Sequence, residues 1–362
     1  MKIIAVGDPH FRVDNIPEVN MFVERLISLC DTEKPDLIVV LGDVLHTHER
    51  LHTVPLNLAI DFIEKVSKIS KTIVLVGNHD YVSNTQFLTT SNWMSSSLKH
   101  IPNVEVADKV LKKVIKGFTF YFCPYVPNGR FQEALLTLDD KWKDADCIFA
   151  HQEFAGCKMG AIISCDGDPW PLDYSKIVSG HIHSKQRPQE NIYYCGSSMQ
   201  VAFGESQDNI IPIFKFAKNK DYELNEIDLG LPRKKIVYTD IDSIDDVKIN
   251  NADSVKLSIT GNYEEFKAFK KTKKYKELVK TGAKVVFKQK KLKKQEGDDV
   301  ENDKSDRSVN DKKDFETVEE TQFLNILTDL IMAEKNSYLY QAFEYVINNK
   351  NVDDGDGDIM FL

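Results

Sequence analysis

Four times within the first 183 residues, a short aliphatic run stops at a glycine and gives way at once to acid, amide or imidazole side chains. Residues 3–6 lead into Gly7-Asp8-Pro9-His10, and residues 37–41 into Gly42-Asp43-Val44-Leu45-His46. Residues 73–76 lead into Gly77-Asn78-His79-Asp80, and residues 177–179 into Gly180-His181-Ile182-His183. A fifth run, 147–150, leads to His151. Short β-branched runs bounded by turn residues read as buried strands. Helical patterns at 19–30 and 56–69 alternate with the first of them, predicting a βαβαβ start and a parallel sheet. Further strands are expected at 118–123, 192–195 and 211–216. Ligands of open α/β sheets bind outside the carboxyl ends of the strands, so the polar clusters are expected to converge.

What would converge is imidazole, carboxylate and one carboxamide, with no thiolate. That donor set suits a hard to borderline divalent ion, with Mn²⁺ first and Mg²⁺, Fe²⁺ or Zn²⁺ as other fits. Asp8 and His10, like His181 and His183, are two residues apart, which in extended chain puts both side chains on one face. Seven candidates (Asp8, His10, Asp43, Asn78, His151, His181 and His183) exceed the needs of one ion with open positions. They suit two ions sharing a carboxylate, for which Asp43 is the natural bridge, and such pairs clamp phosphoryl centres. A lone histidine is more often structural than catalytic. Here the four glycine-led clusters in order, each after a strand, argue for chemistry, whereas His48, His52 and His100 lack that setting and read as ordinary polar residues.

These ordered motifs closely resemble those of calcineurin-like metallophosphoesterases across roughly residues 1–230. The resemblance implies a β-sandwich flanked by helices, with one metal held by Asp8, His10, Asp43 and His183 and a second by Asp43, Asn78, His151 and His181. It implies that His79 contacts phosphate and assists the leaving group without binding metal, and that His46 orients substrate or His79. Phosphoprotein phosphatases carry an arginine soon after the second-motif aspartate and a glutamate in the third motif; neither is present here. The chain is more similar to SbcD nucleases and the recombination endonuclease subunit of T-even phages. That likeness rests on His151-Gln152-Glu153-Phe154 followed by Gly156 and Gly160, on the Ser179–His183 segment, and on Tyr194-Cys195-Gly196-Ser197 leading to Phe203-Gly204-Glu205. Pro9 and the acidic tail depart from the family pattern.

Beyond a catalytic domain at 1–231, residues 232–290 read as a small α/β capping domain: strands at 255–259 and 284–287 and a lysine-rich helix over 264–281. Residues 291–315 are nearly all charged or polar and read as a flexible linker. Residues 316–348 read as two amphipathic helices with anchors Phe323, Leu327, Leu330 and Phe343, and 349–362 as an acidic tail. Net charge is −9, yet residues 270–294 hold twelve lysines and one acid, Glu277. Lys270, Lys271, Lys273 and Lys274 are therefore candidates for DNA phosphates, against the alternative of a merely solvated helix face. In the resembling nucleases the capping domain contacts DNA, and a tethered helical pair binds an SbcC-type SMC-like ATPase. Homodimerisation is also expected. The six scattered cysteines argue for reduced thiols, mostly buried. No apolar run approaches the length of a membrane span, and no cleavable leader is apparent, so a soluble, intracellular protein is expected, with viral or phage origin compatible.

The expected activity is two-metal hydrolysis of DNA phosphodiesters by the nuclease subunit of an SbcCD-type repair or recombination complex. Two rivals stand beside it. A small-molecule phosphodiesterase or phosphatase of the same fold leaves the last 130 residues unexplained. A DNA-end-binding scaffold that does not cleave has no need of the full ligand set.

Overall fold

The computed structural model describes residues 1–290, apart from 49, 161, 219 and 250–252. The linker 291–315, the helical pair 316–348 with Phe323, Leu327, Leu330 and Phe343, and the tail 349–362 lie outside the described residues. In chain order the elements are β1 (Lys2–Val6), α1 (Ile16–Glu33), β2 (Leu37–Val40), α2 (Thr53–Ile69), β3 (Thr72–Leu75), α3 (Met94–Ser97), β4 (Val104–Ala107), β5 (Leu111–Ile115) and β6 (Phe118–Cys123). There follow α4 (Phe131–Leu136), β7 (Cys147–His151), the short hairpin β8 (Lys158–Met159) and β9 (Ile162–Ile163), β10 (Ile177–Gly180), β11 (Gln186–Gln189), β12 (Ile192–Tyr194), β13 (Ile211–Lys215) and β14 (Glu223–Ile227). The last group is β15 (Lys234–Asp240), β16 (Ser254–Gly261), α5 (Tyr263–Phe269), α6 (Lys273–Lys280) and β17 (Lys284–Gln289).

Two six-stranded sheets carry the fold, in the orders β14-β13-β1-β2-β3-β4 and β11-β12-β10-β7-β6-β5. Strands β1 to β4 run parallel, as do β6, β7, β10 and β12, while β13 and β14 add antiparallel pairs at one edge of the first sheet and β11 and β5 pair antiparallel at the two edges of the second. The pleat sorts each run between two interfaces. Ile3, Ala5, Leu37, Val39, Ile73 and Leu75 face the second sheet, meeting Phe120, Phe122, Phe149 and Val178. Ile4, Val6, Ile38, Val40, Val74 and Val76 turn the other way, onto α1 and α2. Helix α1 supplies Val19, Phe22, Leu26 and Cys30 to that interface, spaced three to four residues apart as one helical stripe requires. The outer face of the second sheet is covered by Phe131, Leu135, Trp142, Phe154 and Trp170. Burial on both faces explains why these strands are continuously apolar instead of alternating. Of the six cysteines, all unpaired, five are buried and Cys165 is exposed.

Leu231 still packs into the first core cluster, and Lys234 opens a third sheet, β15-β16-β17, all parallel, around Leu257, Ile259, Phe269 and Leu278. Two details differ from the sequence reading. The helix expected over 264–281 is broken after Phe269, because the Thr272 side chain caps a new helix by accepting from the Tyr275 N–H. Strand β15, only partly buried and opened by two lysines, has no clear apolar run to announce it. Among the described residues, no helix is long and apolar enough to cross a membrane.

Candidate metal centre

The carboxyl ends of β1, β2, β3, β7 and β10 meet at one edge of the sandwich, and all seven candidate ligands lie there. Asp43, on the turn after β2, divides the group. Its Oδ2 lies 3.6 Å from His10 Nε2, and His10 Nε2 is 2.9 Å from His183 Nε2. Its Oδ1 lies 3.4 Å from His151 Nε2, which is 3.0 Å from Asn78 Oδ1; that oxygen is 2.9 Å from His181 Nδ1. Asp8 accepts the His181 N–H through Oδ1 at 2.9 Å, while its Oδ2 is buried with no hydrogen-bond partner.

Close backbone approach makes this possible. A Cβ on Gly77 would stand 2.2 Å from Asp43 Oδ1, and one on Gly42 would stand 2.7 Å from His151 Nδ1. The backbone is also bent at four of the candidate ligands: Asp8, His10, Asp43 and His181 have φ of 32°, 46°, 49° and 79°. This corrects the expectation that Asp8 and His10 share a face of extended chain. The segment after β1 instead turns in left-handed conformation, and the His10 and Phe11 N–H groups donate to the Asp43 and Val44 carbonyls.

Electrostatics leave several of these side chains in ligand-competent form. Burial holds His10 well below the usual imidazole range, and burial followed by His151 lowers His181 to about 3, so both present lone pairs. Burial would raise Asp43, but the His151 charge and hydrogen bond outweigh it and keep the carboxyl well below its usual range. Burial leads in raising Asp8 to about 6. His151 is opposed by burial yet lifted to about 9 by Asp43 and Asp8, as expected of an imidazole between two buried carboxylates.

This donor set fits divalent ions. Donors about 2.1 Å from one ion stand about 3.0 Å apart at right angles and about 3.4 Å apart in a tetrahedron, a spacing these atoms approximate. The partnerless Asp8 Oδ2 and the facing ring nitrogens of His10 and His183 are otherwise hard to satisfy. Nitrogens of His10, His46 and His79 also gather within 4.8 Å of one another. His10 turns Nε2 to His183 and Asp43 and only Nδ1 to His46, so its anionic partner lies on the Asp43 side.

His79 donates its backbone N–H to Asp43 Oδ1 at 2.9 Å and its ring Nδ1–H to the His46 carbonyl at 2.7 Å. Burial is foremost in drawing its pKa below the ordinary imidazole value. Three neighbours carry no role in the sequence reading. Glu205 holds His183 Nδ1 at 3.1 Å and accepts the Val201 and Ala202 N–H groups, the kind of carboxylate that fixes a ligand histidine. Asp80 is buried, accepts from Gly77 N–H and Trp93 Nε1–H, and is pushed up to about 7, chiefly by burial. His48, set aside above with His52 and His100, stacks on His79 at 4.6 Å between ring centroids. Only its spacing from His46 could have hinted at this. Of the four lysines, Lys270, Lys271 and Lys273 are exposed, but Lys274 donates to the Asp245 and Val247 carbonyls and is committed to the fold.

Residues 1–185 match the family described as calcineurin-like phosphoesterase. "Putative phosphoesterase 078R" of Invertebrate iridescent virus 3 is 45% identical over 294 residues, covering 80% of this chain and 84% of that protein. "Putative phosphoesterase 244L" of Invertebrate iridescent virus 6 is 47% identical over 279 residues, covering 75% of this chain and 98% of that protein. Among solved structures, the phosphoesterase Yfce from E. coli aligns with a TM-score of 0.32 at 14% identity, covering 64% of this chain and all of that one, too distant to bear on the fold. A family match over half the chain, and two relatives of such identity, agree with the geometry: this chain belongs to the calcineurin-like phosphoesterases.

Proposed function

We propose that this phosphoesterase cleaves DNA phosphodiesters with two divalent ions, Mn²⁺ foremost, as a homodimeric nuclease subunit working with an SbcC-type ATPase. The observation that supports an extended substrate is the fastening of the lysine-bearing module to the metal centre. Lys234, the first residue of β15, is buried; its N–H donates to Gln200 Oε1, and its Nζ donates to the Gln200 and Val201 carbonyls. The same loop ends in Glu205, which holds His183. The module that carries the exposed Lys270, Lys271 and Lys273 is thereby anchored to the loop that positions His183.

In this reading Asp8, His10, Asp43 and His183 hold one ion, and Asp43, Asn78, His151 and His181 the other. Bound there, the ions supply Lewis-acid stabilisation of the phosphoryl group and activation of water. Asp43 sets the spacing between the two groups of ligands, and Glu205 fixes which nitrogen His183 presents. The His79 imidazolium, its Nδ1–H tied to the His46 carbonyl, delivers its Nε2 proton to the departing sugar oxygen and is left as the neutral ring.

A small-molecule phosphodiesterase is the second reading. It is favoured by a cavity of about 470 Å³ bounded by Met159, His181, Ile182, His183, Gly204 and Glu205. The deciding experiment offers the full chain and Mn²⁺ end-labelled duplex DNA, single-stranded DNA and bis(p-nitrophenyl) phosphate, with EDTA controls. Metal-dependent cleavage of DNA is expected. Turnover of the aryl diester with intact DNA would move the assignment to small molecules, and intact substrates throughout would leave only a binding role.

A further inference from the structure

The segment after β2 carries a histidine that the proposed reaction does not use. His48 is half-buried, its ring 17° from parallel with that of His79 and 4.6 Å away between centroids. His46, two residues earlier, lies 5.5 Å from His79 at 11°, and His10 meets the same ring edge-on at 4.9 Å. His48 is itself steadied by a long contact, 3.4 Å, from Nδ1 to the Tyr81 carbonyl.

These contacts constrain different freedoms of His79. The hydrogen bond from Nδ1 to the His46 carbonyl fixes one ring atom, yet leaves the ring able to tilt about that point. A second planar ring in contact removes the tilt. With Nδ1 and the ring plane both fixed, the direction of Nε2 is fixed too. We infer that His48 is a positioning residue for His79, holding its ring plane by stacking so that Nε2 meets the departing oxygen. This rests on the reading of His79 as the proton donor.

Proton donation matters more as the leaving group becomes more basic, so the test uses a leaving-group series. The full chain with Mn²⁺ is given methyl aryl phosphates whose phenols run from p-nitrophenol to unsubstituted phenol. Wild type is compared with His79→Ala, His48→Ala, His48→Asn and His48→Phe; the asparagine variant provides a second ringless form should alanine unfold. Metal content and melting temperature are measured for each.

For His79→Ala the loss should grow towards the phenyl ester, reaching roughly 10²–10⁴-fold. His48→Ala and His48→Asn should follow the same trend with two ions still bound, losing on the order of 10–10²-fold at the phenyl ester, as misplacement of a reacting group predicts. His48→Phe, which keeps a ring, should recover most of it. A loss uniform across the series, or a phenylalanine variant as poor as the ringless ones, overturns the inference while sparing His79. If His79→Ala itself shows no trend, the proton-donor reading fails, and the role of His48 falls with it.

Discussion

Gly77→Ala isolates how closely Asp43 must be placed. Gly77 has φ −85° and ψ 174°, a conformation open to alanine, so the substitution adds a methyl group without backbone strain. That carbon would stand 2.2 Å from Asp43 Oδ1, 2.4 Å from Asp43 N and 2.9 Å from His151 Cε1. Restoring ordinary contact at about 3.5 Å moves the Asp43 carboxylate, His151 or β3 by roughly 1 Å. Overpacking of this kind costs about 1–3 kcal/mol, or a fall in melting temperature of about 2–10 °C. Misplacement of the shared ligand by about 1 Å lowers turnover by about 10²-fold. The assay is Mn²⁺ titration by calorimetry beside hydrolysis of bis(p-nitrophenyl) phosphate. Gly129→Ala is the control: at φ 81° with nothing within 4 Å of the added carbon, it strains the backbone without crowding a ligand. Gly77→Ala with full metal occupancy and wild-type turnover would refute the argument that this glycine makes room for Asp43.

Asp43→Ala should abolish hydrolysis of every substrate and reduce bound metal from two ions towards one or none, measured by elemental analysis; two ions and normal turnover would exclude Asp43 as the bridge. Replacing Lys270, Lys271 and Lys273 by glutamine should flatten the salt dependence of DNA binding by up to about 0.9 per lost phosphate contact, while aryl diester hydrolysis is retained. Adding Lys274→Gln should lower the melting temperature instead, because that ammonium holds the Asp245 and Val247 carbonyls. Deleting 316–348 should leave DNA cleavage by the isolated chain nearly intact and remove co-purification with an SMC-like ATPase; unfolding of the truncated chain would count against a docking role.

The strands were legible because burial on both faces writes a continuous apolar run, and each observed end falls within one residue of those runs at β1, β2, β3, β6 and β7. The edge strands β4, β5 and β14 were not, since partial exposure leaves charged residues among the apolar ones. At the centre, the glycine-led clusters picked out side chains that converge in the fold but gave the wrong reason for pairing Asp8 with His10. No periodicity argument reaches residues in left-handed conformation. Glu205 and His48 act through other side chains across the fold, one from 22 residues beyond His183 and the other from 31 residues before His79. Apart from the two-residue spacing of His48 from His46, contacts of that kind leave no pattern to read.

Of the eight non-glycine residues with left-handed backbone among those described, four are Asp8, His10, Asp43 and His181. At about 1–3 kcal/mol each, they hold about 4–12 kcal/mol of strain, comparable with the whole net stability of a typical domain. Glycine would relieve that strain at any of the four and remove a proposed metal ligand in doing so. Stability and chemistry therefore pull these positions in opposite directions, and a library selected only for thermal endurance should drift to glycine or asparagine there. Such survivors would melt later than their parent and hydrolyse nothing.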